Sequence, residues 1–285
     1  MTAFSAAEPI RRRRSTVQKL LRDPRGVAGA VLSLAVITIA VAGPMLASHP
    51  ATDIVGRPYS SPSAAAPLGT DVIGRDVLSI FLHGGQLFLA ESVAAAVIGV
   101  VTGTVWGMLQ GLSQTRVAAM LVPLNDTAIV IPQILITLLV LTRFGASPWV
   151  LLTVVGLANV PHVGRVVRAA TLRVDGQDYV AAARALGMGG PELMIREILP
   201  NIAGTVLVEV GIRLAASAVM IASLSYLGFG SNALDWGRVV HDNQGGVAVQ
   251  PWAVVVPVAA ISAFLIGVNF VRDAFSRVIT ARGAR

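Results

Sequence analysis

Residues 88–110 read FLAESVAAAVIGVVTGTVWGMLQ, long enough and apolar enough, as a helix rising 1.5 Å per residue, to cross a hydrocarbon core of about 30 Å. Within and just beyond this stretch Gly99, Gly103, Gly107 and Gly111 recur at every fourth position, so four side chains without a Cβ share one helix face. Another backbone can approach such a face closely. Plain helix packing accounts for the pattern, and a sliding surface used in gating is compatible with it.

Five further stretches meet the same length criterion: 27–47, 119–141, 149–167, 202–224 and 251–271. Six spans fit the composition, which is 54% hydrophobic and 13% charged over 285 residues, with a mean hydropathy of +0.73. So little polar side chain cannot cover a water-facing surface, and the chain needs lipid as its solvent. The first stretch also follows Arg11 to Arg14, as the apolar region of a cleaved signal peptide would. Its length and the membranous remainder favour a retained span.

The net charge of +7 does not indicate nucleic acid, because the arginines sit between apolar runs and form no soluble basic face. They report topology instead. With the N-terminus inside, most basic residues collect on the cytoplasmic side, Lys19, Arg116, Arg165, Arg168, Arg173, Arg184, Arg196, Arg272 and Arg277 among them. The opposite side receives Arg57, Arg75, Arg143 and Arg238, and Arg213 alone falls within a span. This bias places both termini in the cytoplasm. The expected organisation is a basic cytoplasmic segment (1–26), a first span (27–47), an external loop (48–87), a permease core (88–271) containing a long cytoplasmic loop (168–201), and a cytoplasmic tail (272–285). The external loop, with Pro50, Pro58, Pro62 and Pro67, reads as turn-rich chain.

Catalytic chemistry finds little support. The only lysine is Lys19, in the basic segment, so no phosphate-cradling loop with its lysine exists here. The four histidines, His49, His83, His162 and His241, have no metal-ligand spacing, and there is no cysteine. No resident cofactor or metal is expected. In the spans, Asn125 and Asp126 read either as a structural or headgroup-facing pair or as part of a substrate path. Glu209 and Arg213, four apart on one face, form an internal ion pair that serves as a structural clamp or lines that path.

The long cytoplasmic loop carries the most information. Asp178–Gly187, DYVAAARALG, reads as one short helix and 191–199, PELMIREIL, as a second, with Gly187, Gly189 and Gly190 breaking between them. A compact helix-break-helix with small, apolar and scattered charged residues suits docking into a groove of another protein. An ordinary connector remains the alternative.

This loop resembles the inner-membrane permeases of ABC importers, whose signature is Glu-Ala-Ala, three residues, Gly, and a Pro thirteen positions further. Ala182, Ala183, Gly187 and Pro200 keep that spacing, while Ala181 stands where the signature has Glu. Further segments are similar to the dipeptide, oligopeptide, opine and nickel branch, in its shorter subunit. The longest is Leu68–Ser79, LGTDVIGRDVLS. Others are Asp126 with Pro132, Leu224–Gly230 with Trp236 and Gly237, Pro251 with Trp252, and Asn269 with Arg272 and Asp273. Ile221 departs from the branch, which often carries Glu there.

The resemblance implies an all-α integral membrane protein, a MetI-like type I importer permease with five core helices and one N-terminal helix. It implies a bacterial inner-membrane location, a homologous second permease, two ATPase subunits that bind ATP and Mg, and an extracytoplasmic binding protein. Tyr179, Ala181, Ala182, Ala183, Arg184, Gly187, Glu192 and Pro200 are then the residues expected to couple to the ATPase. Asp126, Glu209 and Arg213 are candidates for the translocation path. Peptide is the expected solute, with nickel or metal-chelate, opine and glutathione import as alternatives. A gradient-driven secondary transporter and a membrane scaffold without transport are the rival classes.

Overall fold

The computed structural model describes residues 23–112, 116–230 and 233–283; most of the basic segment, and with it Arg11 to Arg14 and Lys19, lies outside the described residues. The described chain is helical, with only two isolated β-bridges. We number the helices α1 (Pro24–Leu46), α2 (Val77–Leu112), α3 (Arg116–Val130), α4 (Gln133–Phe144), α5 (Pro148–Asp175), α6 (Asp178–Ala185), α7 (Gly190–Leu193), α8 (Leu199–Tyr226), α9 (Trp236–Asn243) and α10 (Trp252–Gly283).

The glycine face of α2 is met by α5, in the most extensive helix pairing of the fold. A Cβ on Gly99 would lie 2.6 Å from the Asn159 Cβ, one on Gly103 2.6 Å from the Val163 Cβ, and one on Gly107 2.6 Å from the Gly164 carbonyl oxygen. At Gly111 the neighbour is Thr171, again at 2.6 Å. The partner number rises with the α2 number, so the two helices run parallel. Parallel neighbours enter the membrane from the same side, which requires one crossing between them.

That crossing is made by α3 and α4, although they are bent by 87° rather than forming the continuous span expected over 119–141. The break has a local cause. Pro132 has no N–H to donate, and its ring disfavours helical geometry at Ile131. With this pair counted as one, the described helices cross six times. The other packing partners agree in direction. Gly29 touches Phe270 and Ser33 touches Gly267, so α1 and α10 run antiparallel. Gly43 against Leu82 and Ala40 against Gly85 set α1 antiparallel to α2.

The start of α1 and the end of α10 therefore lie on one side of the membrane, joined by an ion pair of Arg277 to Asp23, at 2.5 Å. The Arg277 hydrogen bonds hold the Asp23 carboxyl below its usual range. A lowered carboxyl contributes stability above the ordinary carboxylate range and loses it as pH falls through the depressed value, so this clasp opens only in acid.

On the other side, residues 47–76 fold together with residues 227–230 and 233–251. α2 begins at Val77, eleven positions before the expected start at 88, because Asp76 caps it: its carboxylate accepts from the Ser79 N–H at 3.0 Å and the Ser79 hydroxyl at 2.6 Å. Asp71 is wholly buried and accepts from the Arg75 N–H and guanidinium. The Val72 N–H donates to Asn243, and the Gln250 amide donates to the carbonyls of Ser60 and Leu68. The proline-rich loop is thus an ordered cap sewn onto Asn243 and Gln250. Trp236 anchors it from below. The fully buried indole donates to the Phe81 carbonyl at 2.8 Å and packs on the Phe81 and Phe88 rings, each 5.4 Å away. Burial pushes the neighbouring Asp235 carboxyl up, against the Arg238 N–H and Ser225 hydroxyl that hold its anion.

Replacing Gly107 by Ala removes a helix-weakening glycine, which by propensity alone stabilises by about 1 kcal/mol. Here the new methyl meets backbone at Gly164, which cannot yield without separating the helices. Gly107→Ala is expected to destabilise by about 1–3 kcal/mol, seen as a lower Tm of the detergent-solubilised protein. A raised Tm would show that α2 and α5 do not pack this closely.

Candidate functional site: the loop between α5 and α8 and a polar seam

Between α5 and α8 the chain leaves the bundle and returns within residues 176–198. Helix α6 ends in a left-handed turn. Gly187 takes φ +89°, the Met188 N–H donates to the Ala183 carbonyl and the Gly187 N–H to the Arg184 carbonyl. These two bonds close a Schellman cap, as the glycine at this position predicts.

α6 is fastened to the bundle on one face only. Val180 is wholly buried and packs in an apolar cluster with Val163, Val167 and Leu193, against which Ala183 and Met188 also rest. Ala181, Ala182 and Arg184 are exposed, Tyr179 is 45% exposed and Leu186 89%. Tyr179, Ala182, Leu186, Gly187, Glu192 and Glu197 are among the residues lining an open depression of about 460 Å³. Ala181, in the position of the signature glutamate, is exposed and presents only a methyl.

Two connections tie α6 to the spans. The Arg184 guanidinium pairs with Asp175, the last residue of α5. On the other side, residues 191–199 do not form a separate second helix. They are the entry of one helical run, Gly190–Tyr226, that continues into the fifth span. A π-turn over Met194–Ile198, closed by the Leu199 N–H on the Met194 carbonyl, lies in that run just before Pro200. The wider turn accommodates a proline ring that would clash with a carbonyl four residues earlier in an unbroken α-helix. Glu192 is exposed and pairs with Arg196 at 2.6 Å.

Within the spans the structure connects the three path candidates through α5. Asp126 pairs with Arg165 at 2.8 Å, both side chains about half exposed. Asn125 is buried, accepting from the Trp106 indole at 3.1 Å and donating to the Pro161 carbonyl at 3.0 Å. Glu209 pairs with Arg213 at 3.2 Å, both largely buried. Arg213 also reaches the side-chain Oδ1 of Asn159 at 3.5 Å, and the Asn159 side-chain amide donates to the Ser217 hydroxyl at 3.0 Å. Between these groups His162 meets the Gln133 amide at 3.1 Å and lies within electrostatic reach of both Arg165 and Arg213. Asn159, His162 and Arg165, spaced by three, make one polar line along α5.

Sequence reasoning missed this line. It treated His162 only as a failed metal ligand, assigned Arg165 to topology, and did not single out Asn159, Gln133 or Ser217. The three-residue spacing on an otherwise apolar span was the signal that could have found it. Glu91, 2% exposed inside α2, was also missed.

The family described as binding-protein-dependent transport system inner membrane component matches residues 99–283, more than half of the sequence. Among similar proteins, a dipeptide transport system permease protein of Alkalihalophilus pseudofirmus is 26% identical over 95% of this chain and 89% of its own length. A glutathione transport system permease protein of Pectobacterium atrosepticum is 27% identical, over 90% and 86%. An oligopeptide transport system permease protein of Bacillus subtilis is 26% identical, over 86% and 81%. The chain belongs to the binding-protein-dependent transport inner-membrane family, as a multi-pass all-α permease.

The seam also makes an energetic prediction. Removing one partner of a buried ion pair leaves the other charge uncompensated, at about 3–5 kcal/mol. Glu209→Gln and Arg213→Leu are each expected to lower the Tm of the purified protein strongly. The double substitution should recover most of the loss, and additive losses would show that the two charges do not compensate each other.

Proposed function

We propose that this chain is one of two homologous permease subunits of an ATP-driven importer in the bacterial plasma membrane, and that it forms half of the path for dipeptides and oligopeptides. The observation that carries the reading is the double attachment of α6. An exposed helix, closed by a glycine cap, is tied through Arg184 and Asp175 to α5, and through the turn at residues 186–189 and the apolar cluster that holds Val180 with Leu193 to the helical run Gly190–Tyr226 that becomes α8. A push on its outer face must move both spans.

The cytoplasm is the side that fits. The loop lies on the same side as the start of α1 and the end of α10, and on that side the sequence concentrates its arginines. Tyr179, Ala181, Ala182, Ala183, Arg184, Gly187, Glu192 and Pro200 then form or support the surface on which an ATPase docks. Glu192 and Glu197, on the rim of the depression, supply the acidic contact that Ala181 does not. Two such ATPases bind ATP and Mg, and an extracytoplasmic binding protein delivers solute to the opposite face.

Inside the bundle the Asp126, Arg165, His162, Arg213 and Glu209 line supports a peptide as solute. A peptide zwitterion carries one ammonium and one carboxylate, and the seam offers partners of both signs. Relatives named for dipeptide, oligopeptide and glutathione transport fit this class, since glutathione is itself a tripeptide. Transport follows as alternating access. Docked ATPases closing on ATP displace α6, α5 and α8 move with it, and the seam changes the side to which it is open.

Ala182→Arg places a long cation on the docking surface and is expected to abolish both ATPase association and uptake in reconstituted complex, with the fold intact. Gly187 offers a finer test, because no atom lies within 4 Å of a Cβ built there. Gly187→Val therefore acts only through its left-handed backbone, at about 1–2 kcal/mol. It should leave ATP hydrolysis running while peptide uptake falls. Intact uptake in both variants would overturn the coupling assignment. Uptake by the isolated chain under a proton gradient would make it a secondary transporter instead.

A further inference from the structure

A groove of about 760 Å³ lies on the side of the bundle, between α1, α2, α8 and α10. Its wall is apolar along most of its length, from Ile37 and Leu89 through Val93, Leu214 and Phe264 to Val271. Three polar residues line it. The Gln86 amide is engaged by the Val41 carbonyl at 3.0 Å, and the Ser33 hydroxyl is buried against Gly267. The third, Arg272, is the only charged group in the lining.

The position of Arg272 is informative. It stands twenty residues after Trp252, the first residue of α10, which at 1.5 Å per residue is about 30 Å, the thickness of the hydrocarbon core. Arg272 therefore sits at the interface on the side of the chain termini, and the half-exposed Trp252 marks the opposite interface. Gly211 makes room for it: a Cβ there would lie 3.0 Å from the Arg272 Cβ and 3.1 Å from its Cγ. The guanidinium meets Asp273 through Nε and Nη2, at 3.0 and 2.5 Å, on one edge. A guanidinium has five N–H donors, so the other edge can serve an anion.

We propose that this groove holds an anionic phospholipid from the leaflet on the side of the chain termini, its acyl chains against α1, α2, α8 and α10 and its phosphate on Arg272. A basic residue between spans at the level of the headgroups is the chemistry that selects such lipids.

The test uses the assembled transporter, purified in detergent micelles containing equal amounts of phosphatidylglycerol and phosphatidylcholine, with retained lipid measured by native mass spectrometry. Retention of phosphatidylglycerol over phosphatidylcholine by about five-fold, the effect of one basic residue at an anionic surface, is expected. Arg272→Gln should bring the ratio to near parity with lipid still bound, and Val210→Trp, which fills the groove, should lower both. A ratio unchanged by Arg272→Gln overturns the proposal. A photoreactive amino acid at Val93, in the otherwise native chain, gives an independent readout. An adduct with the mass of a phospholipid supports the site, and an adduct with a second polypeptide overturns it.

Discussion

Backbone contact between α2 and α5, permitted by Gly99, Gly103, Gly107 and Gly111, is the constraint on which the rest of the structure depends. Lipid tails are as apolar as leucine, so these helices gain nothing by hiding hydrophobic surface from each other; they associate through close packing and hydrogen bonds. Glycines supply the closeness. The contact also splints α5 at its weakest place, since Pro161 lies between the touching pairs Gly99 with Asn159 and Gly103 with Val163. An α5 held straight by α2 can carry displacement along its length, which a helix free to bend at Pro161 would absorb.

Function is then layered on that splinted helix. At the C-terminal end of α5 Asp175 receives Arg184 from α6, and in the middle Asn159, His162 and Arg165 hold polar partners on α3, α4 and α8. One helix thus joins the surface proposed to meet the motor to the residues proposed to meet the solute. The bend between α3 and α4 belongs to the same arrangement. It places Gln133, the first residue of α4, against the Ala158 carbonyl and His162 instead of continuing the line of α3.

Much of this was legible in the sequence, and the parts that were not have physical reasons. The six crossings followed from apolar length, and the turn at Gly187 from the glycine that a left-handed backbone favours. The glycine stripe on α2 announced a close neighbour but could not name α5, because a missing Cβ says how near something comes and not what it is. The early start of α2 was hidden because His83, Gly84 and Gly85 look like loop, while the Asp76 cap and Trp236, packed against Gly84, make helix there. Residues 191–199 were read as a separate helix between the glycine break and the fifth span; a π-turn just before Pro200 carries them into that span as one run. The seam on α5 was obscured for a different reason. Each of its members had an ordinary reading alone, and only their partners on α3, α4 and α8 make them a line.

The claim that α5 and α6 move as one body is open to a direct distance measurement. The natural chain contains no cysteine, so spin labels can be placed at Ala185→Cys and Trp149→Cys, both exposed sites at opposite ends of this unit. Double electron–electron resonance on the reconstituted transporter, without nucleotide and with nucleotide trapped, should return the same distance distribution in both states. A shift between the states would show that α6 moves against α5, and would contradict the mechanical link on which the mechanism rests.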